Sequence, residues 1–369
     1  MKSTTETSIT HKEALSWAVK ACDAIMKTYT PKELPPAGGW HYHQGVFLLG
    51  MIRLWHETGD NTFFEYTKEY TDTCIDADGK FEMRPGELDS IMAGMLLFPL
   101  YEKTNDKRYK IAMDTLIHFW TGWKKNSIGG YWHKDIYPNQ MWLDGIYMQG
   151  PFAVNYAKLF DKPAFYDEVA KQAILMYENI LDEKTGLLRH AWDESRQVAW
   201  ADPQTGLSPE HWGRAMGWYP VAVLDILDVL PADHKDRKRL EAVFIELMKS
   251  LVKYQEPETG LWYQVLDKGD RADNWLETSC TSLFVYAYAK GVRTGLLGSE
   301  YMNYAESGFR GMTSKAKENG QGILEIEDIC IGTGVGDYIH YINRPRKTND
   351  LHGVGAFALS CIEFAHALK

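Results

Sequence analysis

Two aspartates carry the first chemical signal. Asp89 lies in Pro85-Gly86-Glu87-Leu88-Asp89 and Asp144 in Met141-Trp142-Leu143-Asp144-Gly145. Each opens a stretch with apolar residues at helical spacing. A carboxylate there caps a helix or sits in its first turn, where unpaired N–H groups and the helix dipole favour negative charge. The same carboxylate is a proton donor if its pKa is raised. The apolar wall of Trp142 and Leu143 would raise that of Asp144, and a helix N-terminus would lower it. General acid catalysis needs the first effect to win, and the sequence leaves that balance open.

Other polar residues gather in short runs: His41, Tyr42 and His43; His133, Lys134 and Asp135; then His190, Arg214 and Asp328. His41 and His43 could face one way in an extended segment, but no H-E-x-x-H or other compact ligand set accompanies them, so no metal is expected. Arg214, near Trp212 and Trp218, is either a bidentate carboxylate clamp or a salt-bridged helix residue. Nucleophilic chemistry has little support, with no G-x-S-x-G and no convincing Cys–His pair. Gly332-Thr333-Gly334-Val335-Gly336 lacks the strand, helix and lysine of a phosphate loop, so no cofactor is expected.

The elements that must hold these residues are helices. Leu15, Val19, Cys22, Met26 and Tyr29 mark one face of a first helix. Similar stripes span 44–58, 61–76, 88–103, 106–122, 144–160, 163–181, 210–230, 235–254, 275–293, 299–317 and 351–368. Short polar links such as Thr58-Gly59-Asp60 and Thr104-Asn105-Asp106 alternate with long ones at 30–43, 77–87, 123–143, 182–209, 255–274 and 318–350. Up-and-down helices then place every long link at one end. Six such hairpins closing on themselves predict an all-α, (α/α)6 barrel, residues 1–369 forming one catalytic domain with short β-ribbons in the loops at its mouth. An open solenoid of hairpins has the same alternation. The eight buried strands of a (β/α)8 barrel are not found.

Long loops on a rigid scaffold usually carry function. Ten of the 13 tryptophans fall in or beside the long links: Trp40, Trp123, Trp132, Trp142, Trp192, Trp200, Trp212, Trp218, Trp262 and Trp275. Indoles suit the C–H faces of sugars, or they plug the mouth as packing. Interleaved with His, Asp and Arg, the set points to a sugar pocket. The net charge of −10, without a basic block, argues against nucleic acid as a partner. Five scattered cysteines fit a reducing compartment. The polar N-terminus and the lack of a membrane-length apolar run predict a cytoplasmic protein with no membrane partner.

At these residues the chain resembles the unsaturated rhamnogalacturonyl hydrolases, family 105 of the glycoside hydrolases. The matching stretches are WHYHQGVFL (40–48), GELDSIMAGMLLFPLYE (86–102), GGYWHKDIYPNQMWLDGIYMQGPF (129–152), HAWDES (190–195), RAMGWY (214–219), TGLWYQVLDKGDRADNWLE (259–277), DICIGTG (328–334) and TNDLHGVGAF (348–357). Together they span essentially the whole chain. The resemblance implies the same (α/α)6 barrel and a small oligosaccharide substrate, an unsaturated galacturonyl unit joined to rhamnose. It implies hydration of the C4=C5 double bond, in which an acid protonates C4, water adds at C5, and the hemiketal collapses to release rhamnose. One carboxyl group can serve as acid and then base, so the two-carboxylate spacing rule of ordinary glycosidases does not apply. By position Asp144 matches the acid/base, and Asp89 a carboxylate that holds sugar hydroxyls. His41, Tyr42, the segment His133, Lys134, Asp135, Ile136 and Tyr137, and then His190, Arg214 and Trp218 match substrate-contacting positions. Trp142 belongs with them at the mouth, and Thr333 and Gly334 lie in a loop that approaches substrate. A monomer is expected. A related family acts on unsaturated uronyl units of glycosaminoglycans; the lack of a Lys/Arg cluster for sulfate favours the pectin sugar. A conventional inverting glycosidase, an epimerase and a non-catalytic sugar-binding protein are the competing readings.

Overall fold

The computed structural model describes residues 8–36 and 39–369. It holds fourteen α-helices: α1 His11–Thr28, α2 Tyr42–Thr58, α3 Asn61–Cys74, α4 Asp89–Met92, α5 Leu97–Thr104, α6 Lys107–Thr121, α7 Asp144–Phe160, α8 Ala164–Ile180, α9 Gly213–Leu227, α10 Arg237–Leu251, α11 Thr278–Arg293, α12 Met302–Ser314, α13 Tyr338–Ile342 and α14 Leu351–Ala367.

Burial sorts them into two rings. Every residue of α9 is buried, as are Leu351–Ala365 of α14. A helix that is apolar all round needs neighbours on all sides. The outer helices bury one stripe only, as α1 does with Ala14, Ala18, Ala21, Cys22 and Ile25. The inner ring runs α2, α4–α5, α7, α9, α11, α14 and back to α2, each packed on the next. That contact between α14 and α2 closes the barrel and removes the solenoid alternative. The first helix, α1, lies on the last, α14, so an outer-ring helix covers the inner helix that closes the barrel.

Closure rests on small residues. A Cβ on Gly355 of α14 would stand 2.8 Å from the backbone N of Phe47, and one on Gly50 of α2 would stand 3.3 Å from the Ala358 Cβ. The two backbones therefore approach closely, which sets the start of α2 beside the start of α14. The short links are tight for local reasons. Gly59 and Asn105 end their helices in the left-handed region at φ 71° and 55°, and the carboxylates of Asp60 and Asp106 cap the next helices through the Thr62 and Arg108 amides.

Two expectations need correction. The stripe at 88–103 is not one helix: α4 passes through a 3₁₀ segment, Ala93–Leu96, into α5. Pro99 has no N–H for the Met95 carbonyl, and a Cβ on Gly94 would collide with Leu116 and Phe152, so the chain tightens where it must pass close. The link 318–350 is not loop and ribbon alone, since it carries α13. The long links do form two-stranded ribbons, Gln140–Trp142 with Ala191–Asp193 among them. No described helix is long and apolar enough to cross a membrane.

Candidate active site

All six inner helices begin at the long-link end, so their N-termini surround one mouth. The cavity there has a volume of about 280 Å³. Ligand pockets typically run about 300–1,000 Å³, so this one suits a short sugar. It is lined by His41, Tyr42 and His43 from the head of α2, Arg84 and Asp89 from the approach to α4, and His133, Lys134, Tyr137, Trp142, Asp144 and Met148 from the third long link and α7. Gly332, Thr333 and Gly334 complete it.

Strand-like pairing between links sets these positions. Asp135 N–H donates to the Gly86 carbonyl (2.8 Å) and Leu88 N–H to that of His133 (3.2 Å), which lays His133 and Lys134 over Asp89. The Lys134 ammonium bridges Asp89 Oδ2 and Glu87 Oε2, each at 2.8 Å. That pairing raises the Lys134 pKa against the cost of burial and keeps Asp89 beside a fixed positive charge. The Gln140–Trp142 ribbon pairs Trp142 with Ala191, and Leu143 N–H donates to the His190 carbonyl at 3.0 Å. Asp144 is thereby placed against His190.

His190 Nε2 lies 3.3 Å from Asp144 Oδ2, close enough for charge contact but out of line for a hydrogen bond. On its other side, Nδ1 meets the Tyr341 hydroxyl at 2.7 Å. Tyr341 already accepts the Gly336 N–H at 3.2 Å, so its proton is free to go to Nδ1, leaving Nε2–H to face Asp144. Burial pulls the Asp144 carboxyl up, but His190, His133 and Arg214 outweigh it and hold the pKa below the ordinary range. The apolar wall does not win that balance. Among the described residues no ammonium or guanidinium forms an ion pair with Asp144, in contrast to Asp89. Burial is also the main reason that His41, His43 and His133 resist protonation, His41 being pushed down to about 3.

Five proposed contacts stand back from the cavity: His190 lies buried behind Asp144, and four others lie apart from it. Asp135 is paired with Lys124 at 3.0 Å, outside the lining, and Ile136 is 74% exposed on the rim. Trp218 is buried beneath, stacked on Tyr147 at 4.4 Å. Arg214 is not an open clamp. Its guanidinium lies over Trp212 and donates to Ser279 Oγ (3.3 Å) and to the carbonyls of Cys330 and Ile331. With Glu277, which accepts from Cys330 N–H at 2.9 Å, it fixes the strand leading to Gly332, Thr333 and Gly334. Asp328 pairs with Lys315 and Arg346 instead of entering the pocket.

The tryptophans also need correction. Of the ten, only Trp142 lines the cavity, stacked on His133 at 4.5 Å and on Tyr137 at 4.8 Å. Others staple the links: Trp40 donates to the Ser90 carbonyl, Trp262 to Leu251 and Trp275 to Ile342. Indole N–H groups bound to buried backbone carry the links' packing, which leaves the rings unavailable to a sugar. His41 and His43 form no metal-ligand group; among the described residues the one such grouping is Asp167, His234 and Asp236, outside this cavity.

Sequence reasoning missed Arg84, Glu87, Tyr341, Asp350 and His352. Asp350 caps α14 through the His352 amide, and both lie in the stretch TNDLHGVGAF. An aspartate and a histidine at a helix head, as at Asp144, was the available signal. Arg84 had none.

The family model of Glycosyl Hydrolase Family 88 matches residues 17–368. A solved glycoside hydrolase of family 105 from C. acetobutylicum ATCC 824 is 34% identical, with a TM-score of 0.90, covering 94% of this chain and 98% of its own. Protein Atu3128 of Agrobacterium fabrum is 30% identical over 227 residues, 58% of this chain and 96% of that protein. The unsaturated rhamnogalacturonyl hydrolase YesR of Bacillus subtilis is 22% identical over 306 residues, 80% of each chain.

Proposed function

The chain belongs to glycosyl hydrolase family 88, with a family 105 relative among its solved structures, and is a glycoside hydrolase of the unsaturated uronyl type; on that premise we propose that it acts on the unsaturated galacturonyl–rhamnose disaccharide left by a rhamnogalacturonan lyase, with Asp144 as the acid. The observation that carries the assignment is the contrast between the two pocket carboxylates. Asp89 is held by the Lys134 ammonium at 2.8 Å, which fixes its carboxylate where it can accept sugar hydroxyls. Asp144 faces only imidazole, so it can take up a proton when its surroundings change.

Substrate would supply that change. The uronate brings a second negative charge and displaces water, and both effects raise a carboxyl pKa. Protonated Asp144 then delivers its proton to C4, the electron-rich end of the vinyl ether. Positive charge develops at C5 and O5, water adds at C5, and the hemiketal opens to a 5-keto acid. The former anomeric centre, now a hemiacetal, releases the leaving sugar. The N-termini of the inner helices around the mouth favour an anionic ligand. The likeness to YesR and a lining that offers only Arg84 and Lys134 as cations support the unsulfated pectin sugar over a sulfated one.

The test uses lyase-generated unsaturated rhamnogalacturonan disaccharide. Ultraviolet absorbance of the conjugated double bond is expected to fall in step with release of free rhamnose. Turnover of unsaturated glycosaminoglycan disaccharides alone would move the substrate to the glucuronyl class. Rhamnose release with the double bond intact would overturn the hydration chemistry.

A further inference from the structure

We propose that Tyr42, backed by His352 and Asp350, is a second proton-transfer centre in the pocket, and that it takes the proton of the attacking water. This rests on the unsaturated uronyl hydrolase reading and assigns its base to a group other than Asp144.

The chain of contacts is continuous. The Tyr42 hydroxyl lies 2.6 Å from His352 Nε2, and His352 Nδ1 lies 2.5 Å from Asp350 Oδ1. An ionised carboxylate only accepts, so Nδ1 carries the hydrogen and Nε2 accepts from Tyr42 O–H. The lone pairs of the Tyr42 oxygen are then left for the pocket it lines. The close approach of α2 and α14 at Gly355 fixes this juxtaposition. His352 is buried, and the Tyr42 hydroxyl joins it to the cavity that Asp144 lines.

The charges around His352 suit an acceptor. Tyr42, His41 and His43 face it from α2, Arg214 from α9, Asp144 from α7, and Asp350 from its own helix cap, with Lys347 3.8 Å from Asp350. Burial, and then Arg214, hold the imidazole below its ordinary pKa against the pull of Asp350 and Asp144. It is therefore neutral at pH 7. Asp350 is held ionised by His352 in spite of its burial and stabilises the imidazolium once formed.

The protons balance over two steps. In hydration, Asp144 gives its proton to C4, the water oxygen bonds to C5, and the water proton passes to Tyr42 as Tyr42 gives its own to His352. In collapse, the C5 hydroxyl returns a proton to Asp144 while the C5–O5 bond breaks. O5 is protonated by Tyr42, which is refilled from His352. Both centres end as they began.

The experiment measures kcat, KM and the pH profile of kcat/KM for wild type, Tyr42→Phe, His352→Gln and Asp350→Asn on the unsaturated disaccharide. Tyr42→Phe and His352→Gln are each expected to lower kcat by about 10²-fold, the low end for general acid–base groups, with KM little changed. Asp350→Asn removes an interaction that raises the His352 pKa, so the acid limb of the profile should move to lower pH. Tyr42→Phe with normal kcat and a raised KM would overturn the relay, as would an acid limb unmoved by Asp350→Asn. If His352→Gln does not fold, Tyr42→Phe decides, since it removes a single oxygen. Wild type that turns over no unsaturated uronide would overturn the family reading and the relay together; active wild type with an unimpaired Tyr42→Phe overturns the relay alone.

Discussion

His190 and His352 stand beside the same pocket, each with a tyrosine on one nitrogen and an aspartate near the other, but in opposite order. Behind His190 is Tyr341, and Asp144 faces the cavity. Behind His352 is Asp350, and Tyr42 faces the cavity. The group at the back decides what the group at the front can do. The Tyr341 hydroxyl behind His190 fixes its tautomer, so His190 presents an N–H to Asp144, and the group at the front is the carboxyl. A carboxylate behind His352 stabilises the imidazolium, so that histidine is a proton acceptor working through Tyr42. The same three residue types, reversed, make a donor and an acceptor.

The largest effect should come from the front of the first array. Asp144→Asn keeps the shape and removes the transferable proton, and kcat should fall by about 10²–10⁴-fold with the thermal transition unchanged. Steady-state kinetics beside a melting curve checks this, and near-normal turnover would break the comparison by leaving the pocket without its acid. A middling effect is expected one position further back. His190→Asn removes an imidazole that holds the Asp144 carboxyl down, so that pKa rises. Asp144 must be protonated to act, so the basic limb of kcat/KM should move to higher pH. Hydrogen bonds to charged groups contribute about 1.5–3 kcal/mol. If the 3.3 Å contact aligns when substrate binds, kcat should fall by about 10- to 100-fold. A basic limb that stays in place would detach His190 from the acid.

Of these arrays, the sequence revealed the fronts more readily than the backs. The helix heads at Asp89 and Asp144 were legible because apolar periodicity starts there and the links before them are long, whereas Tyr42 was assigned to the link 30–43 and instead opens α2. The barrel was legible because short and long links alternate. What lay behind was not. Tyr341 reaches His190 from α13, a helix too short for periodicity to reveal, across 151 residues of chain. His352 was not singled out, because only the close approach of α14 to α2 at Gly355 brings it to Tyr42. Arg214 was misjudged because its neighbours in sequence are aromatic, while its hydrogen-bond partners come from Ser279 and the distant Cys330–Ile331 segment. The tryptophans were over-read for a related reason: a ring's exposure depends on where its N–H is bonded, and sequence does not show that.

The smallest effect should come from a residue in neither array, which makes it the control for both. Arg84 lines the cavity, is exposed, and forms no ion pair with any described residue. Lys134, the other cation of the lining, is occupied by Asp89 and Glu87, and Arg214 is occupied by backbone carbonyls. The uronate carboxylate therefore has Arg84 as its available partner. An exposed ion pair contributes about 0.2–1 kcal/mol, so Arg84→Ala should raise KM by no more than about fivefold, less at high salt, with kcat and both pH limbs unchanged. Uniform binding is lost in this way when an interaction is equal in ground and transition states. If kcat fell instead, Arg84 would be acting on charge that develops during the reaction. The losses at Asp144 and Tyr42 could then no longer be read as proton transfer alone.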